Sequence, residues 1–179
     1  ILFGSGTIVN VDKKAEVSGE RVRLVRGIFR PEEGRVSMKE CILHETKLDL
    51  DELDPSKCLF SIKDSMVAPR NWKINGAPSD FIRNFKFDGC QFYGDNQIPV
   101  EVLWCMKDCD IYIDNPFPFS LPEWEAPAPL PRMYFENKEF APIFREGFKK
   151  VRGFRLALAS RPYNNFEGEV EARGYKTEK

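Results

Sequence analysis

The sequence predicts a mainly β chain built as a short parallel β-solenoid of about four to five rungs, with a Pro-rich strap and a small C-terminal α/β appendage. Three observations carry that expectation. One apolar register repeats around three cysteines: five residues before Cys41, Cys90 and Cys109 stand Val36, Phe85 and Trp104, three before stand Met38, Phe87 and Met106, and two after stand Leu43, Phe92 and Ile111. Polar or small residues alternate with them, Lys39, Asp88 and Lys107 at minus two and Glu40, Gly89 and Asp108 at minus one, as in strands with one buried face. Counting in Cys58, which keeps only Phe60 and Ile62 of the pattern, successive cysteines fall 17, 32 and 19 residues apart, and a near-fixed period of apolar columns is what stacked rungs require. That period asks for a further rung near Ile74, where WKING supplies a poor one. An antiparallel β-sandwich, with several short strands between turns, is the alternative.

Three regions follow from composition: a β-rich domain over 1–115, a Pro-rich strap or linker over 116–132, and a helix-strand appendage over 133–179 packed on the domain. Strands are expected at 2–10 and 20–30, the second with Val22 and Leu24 alternating against Arg21 and Arg23 until Gly27 breaks the run. The turn PEEG at 31–34 leads into the first cysteine strand. The acidic run Asp49, Asp51, Glu52, Asp54 lacks the Gly and the terminal Glu that a calcium loop needs at fixed positions, so it reads as a solvated turn. Residues 66–84, with Pro69, Gly76 and Pro78, read as loop. Six prolines between 116 and 131 impose extended backbone that cannot continue a sheet, and interleaved Phe117, Phe119 and Trp124 imply packing on a body. NKEFAPIFREGFKKV and GFRLALAS read as a short helix, interrupted by Pro142, and a strand.

The cysteine register over residues 36–115 resembles that of right-handed parallel β-helix proteins, and the resemblance implies parallel stacking with Asp88 beside Lys107 and Cys90 beside Cys109. The string VRGFRLALAS resembles the closing strand of the formylglycine-generating-enzyme and C-type-lectin-like families, without their Trp- and Gly-rich segments upstream.

Composition narrows the function classes. With 27 basic and 28 acidic residues, net charge does not draw the chain to nucleic acid or to anionic membrane. No apolar run approaches a membrane span, and an aromatic content of 13% calls for a packed core. The chain begins without a Met or a signal-like segment, so it reads as a processed or excised piece. Five cysteines are an odd number, and three share one inward register, which predicts buried, unpaired thiols within strands. No metal site is expected from Cys105, Cys109 and His44, because strand residues four apart stand about 13 Å from each other.

With one His, no GxSxG and no Gly-rich phosphate loop, no catalytic residues, metal or cofactor are implied. A solenoid would also align outward positions: His44, Tyr93 and Tyr112, each three residues after a cysteine, form a polar-aromatic column, with Gln91 and Asp110 able to hydrogen-bond hydroxyls. These are the candidate ligand-binding residues, for a glycan or protein partner; the competing reading is cross-strand stabilisation alone. A basic patch of Lys149, Lys150, Arg152 and Arg155 among phenylalanines is the candidate anion or nucleic-acid contact, which the acidic tail disfavours. A non-catalytic binding or structural module is therefore expected, with a polysaccharide-acting enzyme second, nucleic-acid binding third, and oligomerisation through exposed strand edges open.

Overall fold

The computed structural model describes residues 2–4, 7–11, 14–31, 34–48, 57–70, 72, 84–93, 100–113, 131–135, 139, 142 and 146. Fourteen strands run through them: β1 Leu2–Phe3, β2 Ile8–Asn10, β3 Glu16–Glu20, β4 Arg23–Val25, β5 Ile28–Arg30, β6 Arg35–Lys39, β7 Ile42–Leu48, β8 Leu59–Lys63, β9 Met66–Pro69, β10 Phe85–Asp88, β11 Gln91–Tyr93, β12 Met106–Lys107, β13 Asp110–Ile113 and β14 Arg132–Phe135. Every pairing among them is parallel, and none joins strands that a hairpin would join. The chain is a parallel β-solenoid of about three turns, and the antiparallel sandwich is excluded. Among the described residues, strands of all three faces are found through β8, and β9–β10 and β11–β12 continue the first and third faces.

The first face stacks β1, β4, β7, β9, β11, β13 and β14 in order, the second stacks β2, β5 and the far arm of β7, and the third stacks β3, β6, β8, β10 and β12. Alternation decides what each face buries. Leu24, Leu43, Val67, Phe92, Ile111 and Met133 line the inside of the first face, and Val36, Met38, Phe60, Ile62, Phe85 and Phe87 line the third. Aromatic rings fill the space between: Phe60 lies 5.8 Å from Phe29 and 5.7 Å from Phe85, and Phe87 meets Phe92 edge to face at 5.3 Å. Between β9 and β10, Trp72 enters the core, packing on Phe87 and Phe92 and donating its indole N–H to the Thr46 carbonyl at 2.7 Å. One coil later the 3₁₀ helix Val100–Cys105 supplies buried Val102, Leu103 and Cys105 to the same interior.

The corner between the third face and the next coil's first face repeats a single device. Arg21, Glu40, Asp64, Gly89 and Asp108 all take left-handed backbone, with φ between 49 and 66°. One left-handed residue turns the chain sharply without breaking the ladder: the N–H groups of Arg21, Glu40, Asp64 and Gly89 donate to the carbonyls of Lys39, Lys63, Asp88 and Lys107 on the neighbouring coil at 2.8–3.0 Å. The cost of that conformation, about 1–2 kcal/mol for a residue with a Cβ, is offset by keeping these four corner amides bonded.

The next residue in each coil is Val22, Cys41, Ser65, Cys90 or Cys109, so these cysteines occupy corners and not strands, contrary to the expectation from alternation. They are buried and unbonded, as the register predicted. Each polar member turns its Sγ or Oγ back to the carbonyl two residues earlier: Cys41 to Lys39 at 3.1 Å, Ser65 to Lys63 at 2.7 Å, Cys90 to Asp88 at 3.5 Å and Cys109 to Lys107 at 3.3 Å. Ser65 is thus the member the cysteine count missed, and Cys58, which precedes β8 at another corner, is not one of them. The true column has spacings of 19, 24, 25 and 19 residues, longer than a 16-residue period, and the rung expected near Ile74 lies outside the described residues.

Two further expectations change. Residues 66–69 form β9 and not loop, and the missed strand β3 carries its alternation on small residues, Val17 and Gly19, that give little apolar signal. Asp88 stands beside Lys107 in register, as the parallel reading required. The acidic run at 49–54, the strap up to 130, and most of the C-terminal appendage, with VRGFRLALAS, lie outside the described residues.

Candidate functional site

The outward side of the first face brings together four of the five candidate ligand residues. Gln91 and Asp110 are partners in register, as are Tyr93 and Tyr112, and β14 adds Arg132 beside Asp110 and Tyr134 beside Tyr112. His44 belongs to the same side but pairs with Ala68 on β9, so an alanine separates it from the tyrosines. In-register parallel strands place like residues about 4.8 Å apart, which is close to ring-stacking distance. The tyrosines stack accordingly, Tyr93 on Tyr112 at 4.9 Å and 5° and Tyr112 on Tyr134 at 5.1 Å and 17°.

This column is not open. Tyr93, Tyr112 and Tyr134 are 4%, 6% and 5% exposed and form a second apolar cluster with Ile42 and Met66. Asp110 is buried too, and its Oδ1 accepts from Arg132 Nε at 2.5 Å. That hydrogen bond raises the Arg132 pKa above its ordinary value, which fixes the charge pair in place. The Asp110 carboxylate is thus engaged by Arg132, and the three rings serve packing. The basic patch of Lys149, Lys150, Arg152 and Arg155 lies outside the described residues.

The outward side of the third face differs in every respect. Its exposed positions form three columns: Glu16, Arg35 and Leu59; Ser18, Ser37, Ser61 and Lys86; and Glu20, Lys39, Lys63 and Lys107, with half-buried Asp88 between the last two. Lys39 is engaged by Glu20 at 3.7 Å and Glu40 at 3.4 Å, and these acids raise its pKa. Arg35, Lys63, Lys86 and Lys107 make no ion pair among the described residues. Sequence reasoning marked Lys39, Asp88 and Lys107 as outward but did not join them to Arg35, Ser37, Ser61, Lys63 and Lys86. Period-two alternation contains the signal; the missing part was the alignment of β8, which the misplaced Cys58 obscured.

The hydrogen bond that Cys90 and Cys109 share lowers the pKa of the Cys90 thiol. Burial pushes Cys105 up to about 12 and raises Cys41, and Cys109 is raised by the hydrogen bond it shares with Cys90 and by burial. Among the described residues no group of three or more His, Cys, Asp or Glu side chains is placed to hold a metal ion, and no helix is long and apolar enough to cross a membrane.

The fold places the chain among parallel β-solenoids of the β-helix kind. Comparison with protein-family models, with characterised proteins and with solved structures found no match in any of the three.

Proposed function

We propose that the chain is a non-catalytic β-solenoid module that binds a partner through the outward side of its third face. The observation that supports this reading is the exposed array on β3, β6, β8, β10 and β12, where charged and hydroxyl side chains stand in straight columns. Each is carried on a strand hydrogen-bonded on both sides or at a sheet edge, so the array meets a ligand with little backbone entropy left to lose. The tyrosine column, buried and self-stacked, is read as the seam that holds the last coils together; pairs of this kind contribute about 0.5–1.5 kcal/mol beyond their buried area.

The test is a panel of immobilised glycans, candidate proteins and lipid vesicles, with recovery of each ligand checked for chemical change. Binding of an unaltered ligand that Ser61→Trp abolishes, in a variant whose circular dichroism is unchanged, is the expected result. Turnover that disappears on changing a single carboxylate would replace this reading with a polysaccharide-acting enzyme, and absence of binding across the panel would remove it.

A further inference from the structure

The third face carries an inference that net charge conceals. Four of its five strands, β6, β8, β10 and β12, turn nine residues outward: Arg35, Ser37, Lys39, Leu59, Ser61, Lys63, Lys86, Asp88 and Lys107. Five of these are cationic and one is anionic, and the edge strand β3 adds Glu16 and Glu20, so the outward side carries five cations against three acids in a chain whose net charge is −1. Apart from Asp88, the acids of this face stand at its rim: Glu16 and Glu20 on the edge strand β3, and Glu40, Asp64 and Asp108 in the left-handed corner beside it. Glu40 is already held by Arg21 Nε at 3.0 Å and by Lys39.

We propose that this face rests on an anionic lipid surface. The inference rests on the binding-module reading above and names its ligand class. The cations are spread over two dimensions, across four strands and along five-residue strands, so they match a charged plane better than a single linear polymer. In-register stacking favours the near-planar shape such a contact needs. Lys and Arg stems lie along apolar surface while their charges reach phosphate oxygens, and Leu59, 38% exposed beside Arg35, adds an apolar side chain at the same level. The exposed side carries no described aromatic ring on which a sugar could stack, because the phenylalanines of these strands point inward. Attraction per basic residue near an anionic leaflet is modest, so binding is reversible and salt-sensitive.

Sedimentation of the full chain with phosphatidylcholine vesicles, with and without phosphatidylserine, tests the proposal. Binding is expected only with phosphatidylserine present and is expected to be lost in high salt. Lys63→Glu with Lys86→Glu is expected to weaken it by about tenfold or more, and the Gln pair at the same sites by less. Lys47→Glu, on the second face, is expected to leave it unchanged; thermal unfolding confirms that each variant is folded. No binding to phosphatidylserine vesicles, or binding that the Lys63 and Lys86 reversals do not weaken, overturns the proposal. Binding of a soluble sulfated glycan through these lysines without vesicle binding overturns the lipid assignment alone and leaves the binding-module reading in place.

Discussion

At the scale of single residues, the left-handed corner sets the strictest demands. Gly89 has φ of 66°, and a Cβ placed there would come 2.5 Å from Asp64 Oδ1 on the preceding coil. Four of the five corner positions tolerate a side chain, so conformation alone does not demand glycine; the Asp64 carboxylate above it does. Gly89→Ala is therefore expected to cost about 1 kcal/mol or more in urea unfolding, with much of the loss recovered in the Asp64→Ala background. Simple additivity of the two changes would show that Asp64 is not the obstacle. The corner thiols make a second prediction: buried at the turn, they react slowly with a disulfide reagent at mildly alkaline pH and quickly once denaturant is added. Rapid native reaction at Cys41, Cys90 or Cys109 would mean that the corner opens readily. The cysteines were legible in the sequence as buried and unpaired, but their placement in corners was not, because the register two and three residues away is the same whether the thiol sits in a strand or at its end.

At the scale of elements, β8 and β10 hold the core through one ring. Phe60 is 1% exposed and touches Phe29, Phe85 and Phe87, which lie on two other strands and two faces. Phe60→Ala is expected to lower unfolding free energy by about 3–5 kcal/mol, a large share of the 5–15 kcal/mol typical of a folded domain. A loss below about 1 kcal/mol would mean that the core collapses around the gap. Strands with large alternating side chains, such as β6, β8 and β10, could be read from the sequence. β3 and β9 could not: Gly19 and Ser18 lack the apolar weight that marks a strand, and Met66 and Val67 are followed by Pro69 and a run of loop-forming residues. Tyr134, which completes the tyrosine stack from a strand beyond the prolines, was hidden for a different reason: 22 residues separate Tyr112 from it, and no cysteine marks its coil.

At the scale of the whole chain, the parallel class was legible because one apolar register recurs at spacings that leave room for crossovers, with the antiparallel sandwich as the alternative. The charge distribution was not, since Arg35, Lys63, Lys86 and Lys107 are scattered over more than seventy positions and become neighbours only when the coils stack. The corner column has one more implication, for assembly in time. Successive corner residues lie 19 to 25 positions apart, so each backbone ladder closes a loop of similar length and similar entropic cost. A nascent chain leaving a ribosome therefore exposes β4 before β7, β7 before β9 and β9 before β11, and each new strand finds its partner already waiting as a template. Growth from the N-terminal side needs no distant segment to arrive first, which lets a topology made of non-local pairings be built during synthesis in a fixed direction.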